Sequence, residues 1–265
     1  MGASNCSISY STDNGKTWSE PSMNVTVNVQ SGDKVMWKGE MNNGAGGPPD
    51  FWGIGKFKGG TARLEIQGNI MSLLYGDNFK NQTSFKDDRG YVFAYLFSET
   101  SIISAYNLIL PATTLSRLCY QDMFYNCVSL TTAPSVLPAT TLYEGCYHSM
   151  FYGCTSLTTA PELPVTTLAG SCYYSMFNGC TSLTTAPELP AKTLETGCYQ
   201  FMFSGCTNLN SITMLATDIS AIAPLSDWVS GVAANGTFIK DASMTMLPSG
   251  SNGIPTGWTV ENATE

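Results

Sequence analysis

Charge is what this sequence has least of. Lys, Arg, Asp and Glu make up 12% of its 265 residues, about half the usual share for a soluble domain. The surface must therefore be dressed with Ser, Thr, Asn and Gly, a composition common in exported β-rich and repeat proteins. The charges lean acidic, 12 Lys and Arg against 20 Asp and Glu, for a formal net charge of −8. Cations so few and so scattered leave no footprint for a nucleic-acid backbone and no basic face for an anionic membrane. No run of about 18 apolar residues exists, so nothing is expected to span a bilayer. The start, Met1-Gly2-Ala3-Ser4-Asn5, has neither a basic region nor an apolar stretch and is not a signal peptide. It reads as a chain whose export signal has been removed; the other reading is a chain never exported.

What the sequence has is self-similarity. Leu110-Pro111-Ala112-Thr113-Thr114-Leu115 returns at 137–142, 163–168 and 189–194, at spacings of 27, 26 and 26. Behind each copy runs a second motif, first seen as Cys119-Tyr120-x-x-Met123-Phe124-x-x-Cys127-x-x-Leu130. Later copies open at Cys146, Cys172 and Cys198. Three copies then read Thr-Thr-Ala-Pro, at 131–134, 158–161 and 184–187. A degenerate copy precedes them: Val92-Phe93-Ala94-Tyr95-Leu96-Phe97 resembles the cysteine-tyrosine segment but has no thiol. Units this small cannot bury their own apolar faces, so neighbours must stack. The period suits leucine-rich repeats, with one strand and one return segment per coil. The strand is expected around Leu157-Thr158-Thr159-Ala160, ended by Pro161, which cannot donate to another rung. Cys, Met and Cys at i, i+4 and i+8 share one helical face. Thr141-Leu142-Tyr143-Glu144 resembles a capping box, so a helical turn is expected on the outer side.

The run Tyr-x-x-Met-Phe-x-Gly-Cys-Thr-Ser-Leu-Thr-Thr-Ala-Pro-Glu-Leu-Pro resembles the BspA-type leucine-rich repeat, found in surface proteins of host-associated anaerobic bacteria. The resemblance implies a curved solenoid with a parallel sheet on one face. It also implies adhesion or recognition at the bacterial cell surface, outside the cell. Residues 236–240 and 257–260 are similar to a tail that often follows such repeats. Three parts are expected: a β-sandwich-like N-terminal domain (1–88), a solenoid of about five coils (89–222) and a C-terminal capping segment (223–265).

The flanks carry weaker signals. Cys6 to Tyr10 alternates, and Asp13-Asn14-Gly15 marks a hairpin turn. Val25, Val27 and Val29 alternate with polar residues, and 41–55 reads as a loop. Trp52 in that loop is either a ligand platform or a plug against the core. Leu225 to Val232 suggests a short helix, followed by strands around Phe238 and Trp258 that cover the open end.

Nine cysteines invite a disulfide reading. Stacked equivalents would have parallel Cβ directions that strain a bridge. Two cysteines of one copy would lie two helical turns apart, roughly 12 Å. Val92 stands in the thiol-free copy, so the site accepts a small apolar residue. Reduced core ladders are the favoured reading, with disulfides and a metal site as alternatives. The catalytic inventory is thin. His148, the only histidine, occupies a position filled elsewhere by Gln121, Tyr174 and Gln200, which points to solvent. Asp87, Asp88, Glu162 and Glu188 could pair for glycoside cleavage but read as solvated, and Asp87-Asp88-Arg89-Gly90 reads as a turn.

Binding is expected on the outward strand positions Thr131, Thr132, Thr158, Thr159, Thr184, Thr185, Asn210 and Ser211. A second set is the column Tyr120, Tyr147, Tyr173 and Tyr199, which if exposed could hold sugar rings or a protein partner. If buried it only supports the core. The expected function is a non-enzymatic adhesion or recognition module for a host or bacterial surface protein or glycan, without cofactor. Any lipid anchor would lie outside this chain. The alternative is a carbohydrate-binding N-terminal β-sandwich with the repeats as a stalk.

Overall fold

The computed structural model describes residues 6–20, 22, 26–41, 56–58, 63–85, 90–221 and 223–264. Trp52, Val25 and the Asp87-Asp88-Arg89 turn lie outside these residues. Strands β1 (Cys6–Ser11) and β2 (Met36–Met41) pair antiparallel. After β1 the chain turns through Asn14 and Gly15, both at positive φ (59° and 80°). It then runs back along β1, Ser22 N–H donating to Ile8 O at 3.0 Å, as the Asn-Gly signal predicts. Among the described residues before position 63, β1 and β2 are the only strands.

From β3 (Leu64–Asn69) onward the ladder is parallel. β3 pairs with β4 (Ile102–Ile109). Isolated parallel bridges continue the row from Ser104 to Thr132 to Thr159, and again from Thr185 to Ser211. Ser211 opens β5 (Ser211–Met214), which pairs with β6 (Thr237–Lys240), which pairs with β7 (Thr259–Asn262). Thus β3, from the segment expected to form a separate N-terminal domain, and β6 and β7, from the expected cap, continue the row of the repeats. Second and third rows run along the coils through Val136–Glu162 and Leu189–Met214, and through Thr114–Thr141 and Thr193–Asp218. Around Thr159 the strand shrinks to a single bridge residue, because Pro161 two positions on has no N–H to extend the ladder.

The cysteine-tyrosine segment is not helical. In residues 169–180 backbone N–H groups alternate between two uses. Cys172, Tyr174, Met176, Asn178 and Cys180 close turns on the carbonyl three residues back. Ser171, Tyr173, Ser175, Phe177 and Gly179 donate instead to Thr196, Cys198, Gln200, Met202 and Ser204 of the next coil, at 2.8–3.0 Å. A helix would spend every N–H internally; this ribbon of turns spends half of them on its neighbour. Every fourth residue takes a positive φ, as at Ser171 (53°), Ser175 (51°) and Gly179 (73°). That conformation is costly for most side chains and free for glycine, which explains the glycines at 153, 179, 205 and 231. The expected outer helical turn is therefore corrected: a four-residue period belongs equally to this ribbon. The short helix expected over Leu225 to Val232 is corrected likewise. Tyr199, Phe201, Phe203 and Gly205 donate to Pro224, Ser226, Trp228 and Ser230, so a further ribbon stacks there.

The core is a set of side-chain columns running along the stack. Phe97, Phe124, Phe151, Phe177 and Phe203 stack ring on ring at 5.5, 5.3, 5.6 and 5.7 Å. Phe93, Tyr120, Tyr147, Tyr173 and Tyr199 form a parallel column at 5.6–6.0 Å. Leu130, Leu157, Leu183 and Leu209 are fully buried. Phe57 closes one end against Phe97, and Phe85 packs edge-on to Phe93 and Tyr120. Trp228 closes the other end against Tyr199 and Phe203, its indole N–H held by Gly253 O at 2.8 Å.

Candidate functional site

The outward strand positions lie where the repeat pattern puts them. Thr131, Thr158, Thr159, Thr184, Thr185 and Asn210 are exposed, while Thr132 and Ser211 are half-buried. Part of this row is occupied with structure. Thr131 Oγ1 donates to Ile103 O at 2.8 Å and Thr158 Oγ1 to Thr131 O at 3.1 Å. Ser104 and Thr132 share a hydroxyl contact at 2.7 Å. Both carbonyls also accept the backbone N–H of the same threonine, Thr131 N–H to Ile103 O and Thr158 N–H to Thr131 O, so each hydroxyl adds a second bond to a rung already made.

The tyrosine column cannot bind a partner. Tyr120, Tyr147, Tyr173 and Tyr199 are at most 2% exposed, and their ring faces are covered by one another. Burial drives their hydroxyl pKa values well above the ordinary range. As candidate binding positions the four tyrosines are therefore corrected, and of the two readings the buried one holds: the residue directly after each cysteine points inward with it.

The eight described repeat cysteines are free and buried. Those of the second column donate S–H across the stack. Cys127, Cys154, Cys180 and Cys206 reach the carbonyls of Phe97, Phe124, Phe151 and Phe177 at 3.0–3.1 Å. In the thiol-free copy Thr100 stands at the equivalent position and donates within its own coil, its hydroxyl 2.7 Å from Phe97 O, the carbonyl that Cys127 also reaches. Burial raises the thiol pKa throughout, to about 12 at Cys119, Cys198 and Cys206, so none is poised as a nucleophile. No group of three or more His, Cys, Asp or Glu is placed to hold a metal among the described residues.

His148 is half-buried, not the solvated decoration its variable position suggests. Its ring stacks on Tyr174 at 4.6 Å, and its Nδ1 is buried without a hydrogen-bond partner. Burial lowers its pKa, against a smaller opposing pull from the Asp122 carboxylate. Asp122 is itself raised by burial, an effect that hydrogen bonds from Tyr95 and Gln121 oppose. Burial and the Asp122 charge push the Tyr95 hydroxyl to about 12. The stack covers one face of each ring, and Phe201 packs edge-on to Tyr174.

A different surface was not singled out by the repeat pattern. Between Tyr106–Ile109 of β4 with the following Leu110, and Ser135, Val136 and Pro138 of the next coil, lies a groove of about 280 Å³. Its rim is open, with Tyr106 59%, Ile109 54% and Val136 36% exposed beside the exposed polar Asn107 and Ser135. Along the same row follow Glu162, bridged to Val136, and Glu188 one coil further. Both are exposed and neither forms an ion pair among the described residues. The sequence held one usable signal: the residue before each Leu-Pro is Ile109, Val136, Glu162 and Glu188 in turn. A site that accepts glutamate does not need an aliphatic side chain for the fold. Among the described residues no helix is long and apolar enough to cross a membrane. Comparisons with family models, curated proteins and solved structures find no match to this chain.

Proposed function

We propose that the chain is a non-enzymatic recognition module, a leucine-rich-repeat solenoid of BspA type that binds a protein or glycan partner at a bacterial cell surface. One observation carries the reading. The recurring cysteine, tyrosine, Met-Phe and leucine positions are buried, whereas the exposed position before each Leu-Pro changes from copy to copy, as Ile109, Val136, Glu162 and Glu188. Stacking needs only the buried set to be kept. Freedom to vary the outward set without losing the core suits a surface that is read by a partner, and solenoid faces are the usual place for that. A screen of the full chain against mucosal glycans and matrix proteins tests it. Binding should be saturable and should fall when Thr159, Thr184 and Thr185, or Ile109 and Val136, are changed together. No binding to any surface component would sink the adhesion reading. Turnover of a glycan during the screen would replace it with an enzyme.

A further inference from the structure

On the reading of a surface recognition module, we propose that the groove and the acidic row beside it form a site for an extended cationic peptide with one apolar anchor. The groove supplies the anchor pocket. Leu108 and Leu110 floor it, while Tyr106, Ile109 and Val136 stand exposed at its rim. The repeats provide their own control, because Glu162 and Glu188 occupy the same place in later coils. The aliphatic pair is therefore not required by stacking, and the apolar patch is a local addition at the first two coils.

Charge selects the occupant. Glu162 and Glu188 are exposed, carry no salt bridge among the described residues and continue the row from Val136. The whole chain is acidic, with a net charge of −8. Coils repeat at about 4.8 Å, so the two carboxylates sit roughly 5 and 10 Å beyond Val136. An extended peptide presents same-side residues about every 6.6 Å. An anchor at one position would thus bring cations two and four residues later over the two glutamates, within reach of flexible lysine stems. A sulfated or sialylated glycan, being anionic, is disfavoured by the same charges.

The test uses the full chain and two dye-labelled peptides, Leu-Ser-Lys-Ser-Lys-Ser and its glutamate counterpart Leu-Ser-Glu-Ser-Glu-Ser. Anisotropy should show saturable binding of the lysine peptide only. The Ile109→Thr/Val136→Thr variant should bind at least about tenfold more weakly, because the anchor loses its apolar rim. The Glu162→Gln/Glu188→Gln variant should bind more weakly and lose most of the salt dependence. Threonine is a good strand former and these sites are exposed, so unchanged circular dichroism is expected. Equal binding of both peptides, or binding by the threonine variant within twofold of wild type, overturns the assignment. Failure of the lysine peptide to bind, while a screened glycan or matrix protein binds wild type and both variants alike, also overturns it yet leaves surface recognition standing. Absence of any screened ligand, with peptide binding lost in both variants, upholds the site while counting against adhesion.

Discussion

Removing one ring from the middle of the phenylalanine column measures how the stack is held together. Phe151 is 0% exposed and lies between Phe124 at 5.3 Å and Phe177 at 5.6 Å, the ring planes within 5° on both sides. A buried Phe→Ala change costs about 3–5 kcal/mol. Each lost stacked pair adds about 0.5–1.5 kcal/mol beyond buried area, which puts Phe151→Ala near the top of that range. Urea unfolding, followed by circular dichroism and by tryptophan fluorescence, measures the loss. The second half of the test is coupling. Phe124→Ala and Phe151→Ala would open one shared cavity, so their costs should fail to add by about 0.5–3 kcal/mol. Phe124→Ala and Phe203→Ala, three coils apart, should add within about 0.5 kcal/mol. A single cost under about 1 kcal/mol, or equal coupling in the near and far pairs, would refute the column as the core.

Three further outcomes follow from the buried groups. In the native chain the eight repeat thiols should resist a thiol reagent at pH 8, and the same eight should titrate after denaturation without reductant; four or more disulfides by mass would contradict free ladders. Burial lowers the His148 pKa below 6.5 in the fold, so stability is full above pH 6.5 and falls as acid carries the pH through the folded value. His148→Gln, which copies Gln121 and Gln200, should flatten that acid loss in a melting series between pH 7 and 5. Asp122 has the opposite sign. Its folded pKa is raised above 3.8, so stability is lost as pH rises through that value, and Asp122→Asn should raise the melting temperature at pH 7. At Gly179 an added Cβ would rest 3.7 Å from Gly153 Cα, ordinary contact, but φ is +73°. Gly179→Ala should therefore cost about 1–2 kcal/mol from backbone strain alone, with Gly179→Asn cheaper; an unchanged urea midpoint for the alanine variant would remove the strain argument.

The period and the identity of the core columns could be read directly, because Met-Phe pairs and leucines recurring at 26 or 27 residues leave little choice of inside. The conformation between them could not. Cys119, Met123 and Cys127 are four apart, a spacing that a helix and a ribbon of four-residue turns share. The discriminating mark was the positive-φ position, where Asn126, Gly153, Gly179 and Gly205 succeed one another; a glycine in nearly every coil at one place in an expected helix should count against it. The tyrosines were ambiguous because their rings suit a core and their hydroxyls a surface. The ribbon puts Tyr147 beside Cys146 on the inner side, and that decides it. β6 and β7 were legible from Phe238 and Trp258, whereas β3 carries no copy of the motif and left no mark. The groove was obscured by degeneracy: Tyr106 and Ile109 belong to the copy least like the others.

The alternating use of backbone donors in the ribbon bears on how such a chain can change length. Each coil offers its successor the same set of N–H groups, and the contact of Tyr147 on Tyr173 repeats that of Tyr120 on Tyr147, both at 5.6 Å. A whole 26-residue cassette could be duplicated or excised by recombination within its own coding sequence, and the cut faces would still match. One inserted residue inside 146–154 would instead shift every later donor from its neighbour to its own turn and rotate cysteine and phenylalanine outward. Gene-level drift in this protein is thus quantised: it can gain or lose reach in steps of one coil, while the ribbon itself tolerates no frame smaller than that.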